Sequence, residues 1–387
     1  MNPGGPGGSG LQTVQGPDGD VIMEHAGGNY DLVSWDPRGV GQTVPRTACF
    51  ETKAEEDAFW NGSILKAFRL EVRGNFTSQT DLDAFYSKLN ESDTLAQRIG
   101  EQCVTHSPNT FQYIGTAATV RDMVAMHDVL EGSEKINFWG MSYGTVVGAY
   151  FVNMFPDRVG RVILDGVVDP VYWANRPAHE WLGNVFESTE AAFDGFAKEC
   201  AMRALLIVLS RSKTLPHPAF FEHNQAKRWL QLPDSIDPID NKLRPRQEPT
   251  SDETNLAYAY DYEGIACGDA QDPGDATTKD VFDIVVNVTH RISPTFGPAG
   301  VERLSNEADP VTPYLNAKSV ADAFGGSAVL IEQAGYGHVS RRMPSNCTIS
   351  AVQKYLIHNE LPNRTISAST KLFVEPLNAT SISNTLQ

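Results

Sequence analysis

Basic side chains are scarce in this 387-residue chain: 31 Lys and Arg stand against 48 Asp and Glu, for a net charge of −17. A surface of that sign repels phosphate backbones and anionic headgroups, which excludes nucleic acid and anionic membrane as main partners. Long hydrophobic runs are also missing. Nothing approaches the ~18 consecutive apolar residues of a membrane-crossing helix, and the longest greasy run, residues 204–209, reads as a buried helix or strand. The five cysteines (Cys49, Cys103, Cys200, Cys267 and Cys347) contain no C-x-x-C pair and no His-Cys spacing of a zinc site. No internal repeat or low-complexity segment interrupts the chain. Met1 runs straight into Asn2-Pro3-Gly4-Gly5 with neither a basic nor an apolar leader region, so no signal peptide is expected here.

Other features are present in quantity. At 41% hydrophobic residues the composition is that of an ordinary globular protein. The length suits one large domain with an insertion, or two domains. N-x-S/T acceptors occur at Asn61, Asn75, Asn90, Asn287, Asn346, Asn363 and Asn378. That exceeds the roughly two or three such triplets chance would give, and favours a secreted, glycosylated parent protein. In an oxidising compartment five cysteines allow two disulfides and one leftover thiol. Cys49 with Cys103 is the preferred pair, since both lie in one early segment between core elements.

Strands and helices alternate along much of the chain. Tyr30 to Trp35 reads as a buried strand ended by a turn at Asp36-Pro37-Arg38-Gly39. Residues from about 50 to 112 are polar and look like a surface insertion. Val120, Met123, Val124, His127 and Leu130 recur at helical spacing until Gly132 stops the helix; His127 there is structural. Arg161 to Asp165 and Ser327 to Glu332 read as strands, and Ile349 to Ile357 as a closing helix. Aromatic residues such as Trp173, Trp181 and Trp229 sit among charges and prolines between 171 and 260, which suggests a mostly helical cap. The expected fold is α/β, with a mostly parallel sheet, helices on both faces and the cap inserted. The expected division is 1–170 for the first part of the core, 171–260 for the cap and 261–387 for the second part.

The chemistry centres on Gly140-Met141-Ser142-Tyr143-Gly144, a G-x-S-x-G nucleophile elbow between an apolar strand and a helix-like run closed by Pro156. The flanking glycines clear the backbone around a serine on a strained turn. A serine hydroxyl is a weak nucleophile and needs a histidine base, an orienting acid and oxyanion donors. After Ser142 the chain supplies an acid at Asp309 and then a glycine-flanked His338 directly after a predicted strand. Asp165, at the end of an earlier strand, is the alternative acid; its plainer reading is a turn carboxylate. Backbone amides of Gly4, Gly5 and Tyr143 are the candidate oxyanion hole. The glycine-rich start lacks the Lys of a phosphate-binding loop. This chemistry needs no metal and no organic cofactor.

Five motifs then occur in order: Asn2-Pro3-Gly4-Gly5-Pro6-Gly7-Gly8-Ser9-Gly10, Asp36-Pro37-Arg38-Gly39-Val40-Gly41, Trp139-Gly140-Met141-Ser142-Tyr143-Gly144-Thr145, Leu164-Asp165-Gly166-Val167-Val168-Asp169-Pro170 and Ala308-Asp309-Pro310-Val311-Thr312-Pro313. In these the chain resembles the secreted tripeptidyl aminopeptidase-like serine peptidases, relatives of prolyl iminopeptidase in the α/β-hydrolase superfamily. The resemblance implies removal of short peptides from a free N-terminus, with Ser142 as nucleophile, Asp309 as orienting acid and His338 as general base. It also implies a signal peptide and strands ahead of the glycine-rich loop, and an apolar strand before Asp309. An incomplete sheet from a truncated or mis-spliced reading frame is therefore expected. An esterase or lipase with the same triad, or a non-catalytic hydrolase-fold protein, are the competing readings.

Overall fold

The structure is a computed structural model; it describes residues 1–66, 69–70, 76–185, 257–292, 309, 311–342, 344–362 and 366–369, with scattered positions between 187 and 198. In chain order the elements are α1 (Gly10–Gln15), α2 (Pro17–His25), α3 (Lys53–Trp60), β1 (Leu65–Lys66), β2 (Arg69–Leu70), α4 (Gln79–Tyr86), α5 (Leu89–His106), α6 (Thr116–Glu131), β3 (Ile136–Met141), α7 (Gly144–Met154), β4 (Val159–Asp165), α8 (Pro170–Ala174), α9 (Leu182–Val185), α10 (Asp261–Asp269), α11 (Thr278–Ile292), α12 (Tyr314–Phe324), β5 (Ile331–Ala334), α13 (Asn346–His358) and β6 (Ile366–Ser369).

The central layer is the parallel pair β3–β4, in which Trp139 opposes Ile163 and Met141 opposes Asp165. Alternation along β3 sends its side chains to two separate cores. Ile136 and Phe138 pack with Val120, Met123 and Val124 of α6 and Val146, Val147 and Phe151 of α7. Trp139 and Met141 point the other way, onto Ile22 of α2 and Val352 and Leu356 of α13. Helices therefore cover both faces of this pair. Each fully buried large apolar side chain contributes about 1.5–3 kcal/mol, and β3 buries more of its residues than β4 or β5. Asn2 extends the layer: it bridges Gly140 in parallel, its N–H donating to Trp139 O at 3.1 Å and its carbonyl accepting from Met141 N at 3.0 Å.

Local sequence sets several boundaries. Gly132, at φ 67°, ends α6 where expected. Asp169 caps α8 by accepting from the amides of Val171 and Tyr172, with Pro170 in the first turn. Thr52 and Glu55 form a reciprocal capping box on α3.

Three expectations need correction. Tyr30 to Trp35 is not a strand: its backbone partner is Met1, whose ammonium donates to Val33 O at 2.7 Å, and Val33 is 52% exposed. The late strand begins at Ile331 rather than Ser327, because residues 325–327 form a helical turn and β6 pairs only with Ile331 to Ala334. Leu130 does not continue the buried face of α6; it is 60% exposed.

The polar stretch from 50 to 112 has its own packed interior. Phe50, Trp60, Leu95 and Ile99 enclose Ala257 and Tyr260, and Phe76 and Phe85 meet Phe282 and Val286 of α11. Cys49 and Cys103 are joined by a disulfide across 54 residues. Glu56, almost fully buried, accepts from Tyr258 N at 2.9 Å and from Tyr260 Oη at 3.0 Å. The early helices and the segment 257–292 thus make one helical lobe. Most of the expected cap (171–260), the run 204–209, Cys200, and the stretch expected to lack a strand ahead of Asp309 lie outside the described residues. Among the described residues, no helix is long and apolar enough to cross a membrane.

Candidate active site

Ser142 sits where β3 turns into α7. Its φ is 55°, the left-handed region that a non-glycine residue enters only under constraint. Three hydrogen bonds supply the constraint: Ser142 N donates to Asp165 O at 2.9 Å, and Ser142 O accepts from Thr145 N at 2.8 Å and Thr145 Oγ1 at 2.6 Å. The residue is largely buried, and among the described residues its hydroxyl makes no hydrogen bond.

His338 and Asp309 are brought together. His338 Nδ1 lies 2.8 Å from Asp309 Oδ2. Asp309 is held in turn by the turn that follows it: Oδ1 accepts from Val311 N at 2.9 Å and Thr312 N at 2.8 Å, and Oδ2 accepts from Thr312 Oγ1. Acceptance at Nδ1's partner fixes the tautomer with its proton on Nδ1, which leaves Nε2 free to take a proton. The alternative acid, Asp165, faces elsewhere. Its oxygens accept from Ser340 N at 2.8 Å and Ser340 Oγ at 2.7 Å. Burial raises its carboxyl above the usual range, and the Ser340 hydrogen bonds oppose that rise.

The glycine-rich start lies against the elbow. At Gly4, φ is 98°, and a Cβ would fall 2.5 Å from Met141 O, 2.7 Å from Ser142 Cβ and 3.2 Å from Tyr143 N. Only glycine fits that approach. The N–H of Gly4, one of the three candidate oxyanion donors, is given to Asn2 Oδ1 at 3.0 Å. Gly5 and Tyr143 keep amides with no acceptor among the described residues. Asp36 anchors the far end of this loop, accepting from Ser9 Oγ at 2.6 Å and from the amides of Leu11 and Gln42 at 3.2 Å. His127 takes no part; its ring faces the Arg158 guanidinium at 3.4 Å.

Sequence reasoning overlooks Thr312, which braces Asp309, and Ser340, which engages Asp165. Thr312 lies in a loop and Ser340 opens a short helical turn, places where a hydroxyl residue carries no distinctive signal; the D-P-V-T spacing of an Asx turn is the one available cue for Thr312. Tyr143 has a further partner in Thr116, and burial raises its phenol well above the usual range.

The structure thus holds a positive-φ serine at the end of a parallel strand, a glycine-rich backbone loop against that turn, and a His–Asp pair on later loops. Residues 1–215, more than half of the chain, match the family model described as alpha/beta hydrolase fold, and residues 302–368 match the one described as TAP-like protein. The chain belongs to the α/β-hydrolase fold family. Among its relatives, tripeptidyl aminopeptidase of Streptomyces lividans is 33% identical over 171 residues, covering 44% of this chain and 28% of that protein. Serine protease Hip1 of Mycobacterium tuberculosis is 30% identical over 204 residues, 53% of this chain and 35% of Hip1. The match thus spans about a third of the length of these two relatives. Carboxylesterase B of Mycobacterium tuberculosis is 25% identical across 94% of this chain and 78% of its own length.

Proposed function

We propose that this chain is a serine exopeptidase that removes short peptides from a free N-terminus through an acyl-enzyme. The observation that carries the reading is the 2.8 Å contact between His338 Nδ1 and Asp309 Oδ2, together with a serine held at positive φ. Ser142 Oγ attacks the scissile carbonyl while His338 Nε2 takes its proton. Asp309 keeps the imidazole in the tautomer this step needs and stabilises the imidazolium. The amides of Gly5 and Tyr143 donate to the oxyanion. Collapse of the tetrahedral intermediate returns the proton from Nε2 to the leaving amine, and water repeats the sequence on the ester. Similarity to a tripeptidyl aminopeptidase and to Hip1 supports peptides as the substrate class.

The parent protein is secreted and glycosylated in this proposal; Asn61, Asn90, Asn287 and Asn346 are all exposed, as glycan acceptors must be. A second reading, hydrolysis of carboxylic esters, is favoured by the near full-length similarity to carboxylesterase B. Aminoacyl and tripeptidyl anilides, with and without a blocked N-terminus, assayed beside short acyl esters decide between them. Anilide turnover that is lost in Ser142→Ala and on N-terminal blocking is the expected result. Ester turnover alone overturns the peptidase assignment.

A further inference from the structure

One residue of the scaffold touches both the nucleophile's turn and the base's turn. Asp165 is the last residue of β4, and its main-chain carbonyl accepts the Ser142 amide at 2.9 Å. Its side chain reaches the opposite way and takes two donors of Ser340, the N–H at 2.8 Å and the hydroxyl at 2.7 Å. Ser340 is two residues beyond His338. The residue between them, Val339, has φ 65°. A β-branched side chain in the left-handed region is strained and persists only where its surroundings enforce it.

Two other contacts close on the same turn. Val339 is buried among Trp139, Met141, Val352 and Leu356, so the strained residue is also pinned by its side chain. Gly166, at φ 68°, lies directly under it: a Cβ there would sit 2.8 Å from Val339 Cγ1, 3.2 Å from Thr312 Oγ1 and 3.4 Å from His338 Cε1. The pair Asp165-Gly166 is therefore the floor on which the base's turn rests, and Asp165 supplies its polar attachment.

We infer that Asp165 is a positioning residue, which sets His338 against Ser142 by clamping the 338–340 turn to the strand end that also anchors the nucleophile. This rests on the proposed roles of Ser142 and His338. It assigns Asp165 a task distinct from that of the orienting acid, because what it needs is two hydrogen bonds to Ser340 rather than a negative charge. A displacement of about 1 Å at a reacting group costs on the order of 10²-fold in rate, so an untethered turn has a large kinetic effect.

The difference between clamp and acid gives the test. Asparagine in place of Asp165 keeps Oδ1 as acceptor for Ser340 N, and its amide donates to the Ser340 hydroxyl, so the clamp survives without charge. Asp165→Asn is expected to retain turnover within about tenfold, whereas Asp165→Ala loses on the order of 10²-fold in kcat with KM changed little. Ser340→Ala is expected to lose part of the same effect. The double variant Asp165→Ala with Ser340→Ala should be no worse than Asp165→Ala alone, as coupled partners are not additive. Equal inactivation by Asp165→Asn and Asp165→Ala, or additive losses in the double variant, overturns the clamp.

A crystal structure of Asp165→Ala provides a readout independent of turnover. Val339 is expected to leave positive φ and the His338–Asp309 hydrogen bond to break; an unchanged turn refutes the inference even if the wild-type chain proves inactive. Failure of the functional reading is seen separately, as absence of Ser142 labelling by a fluorophosphonate in the wild-type chain.

Discussion

Thr116 Oγ1 lies 2.6 Å from Tyr143 Oη, and both residues are buried. The Thr116 hydroxyl donates to Asp269 Oδ2, so the Tyr143 hydroxyl must be the donor in its pair with Thr116. Asp269 also accepts from Thr116 N at 2.8 Å and from Trp173 Nε1 at 3.0 Å. Helix α10 of the helical lobe is tied in this way to the residue that follows the nucleophile. Removing the tyrosine hydroxyl leaves Thr116 its stronger, charge-assisted partner. Tyr143→Phe is expected to cost about 1 kcal/mol of unfolding free energy. Asp269→Ala strands three donors and is expected to cost about 3 kcal/mol or more. Urea unfolding of the two variants checks the order, and equal losses would contradict it.

The turn around Asp309 yields a graded prediction. Asp309→Asn removes the acceptor that holds the Nδ1–H tautomer of His338, and kcat is expected to fall by a factor on the order of 10⁴. Thr312→Val removes only one donor to Asp309 Oδ2 and leaves both backbone donors in place. Its expected loss is about tenfold. Steady-state kinetics on the best anilide or ester substrate measures both.

Asp261 couples the lobe to pH. Burial pushes its carboxyl up to about 6, the Tyr262 N–H opposes the rise, and Glu263 adds to it. The folded state therefore favours the neutral acid. The stability it contributes is fully present below the ordinary carboxyl value of about 3.8 and is lost as pH rises through about 6. Asp261→Asn keeps the acceptor for Tyr262 N and removes the charge. It is expected to melt higher than wild type above pH 6 and to match it near pH 4. Melting curves at both pH values test this, and a constant difference would refute the titration.

The disulfide Cys49–Cys103 closes a loop across 54 residues. Loop-closure entropy for that length is about 4 kcal/mol. Replacing both cysteines by serine should lower the urea midpoint of the helical lobe accordingly, while β3–β4, whose side chains pack in other clusters, keeps its hydrogen-exchange protection. Loss of protection throughout would show that the lobe and the sheet unfold as one unit.

Much of this arrangement is legible in the sequence where a local pattern has one physical solution. Gly140 to Gly144 between an apolar strand and a helix permits little besides a sharp turn, α6 follows from 3.6-residue spacing with Gly132 as its stop, and α7 from an apolar run closed by Pro156. Tyr30 to Trp35 is not legible, since an apolar run bounded by a turn suggests burial but a strand also needs a ladder partner. The role of Gly4 is hidden for a different reason. The glycine-rich start suggests an oxyanion amide at Gly4, but nothing local shows that the Asn2 side chain takes its N–H. Asp165 likewise reads as an acid at a strand end, and its partner Ser340 is 175 residues away. The polar helices from 53 to 106 look like surface until their apolar residues meet Tyr260 and Phe282, which arrive much later in the chain.

The bridge between Asn2 and Gly140 has a consequence for how such a protein can change. The glycine-rich loop and the elbow leave the same rung of one ladder, so Gly5 and Tyr143 present their amides from a common frame. A slip of one residue would turn every side chain of that rung over. Substitutions in α3 to α5 act on separate packed interiors. The geometry that would break a bond is thus inherited as a fixed block, and selection for a new substrate is free to act on the other half of the molecule.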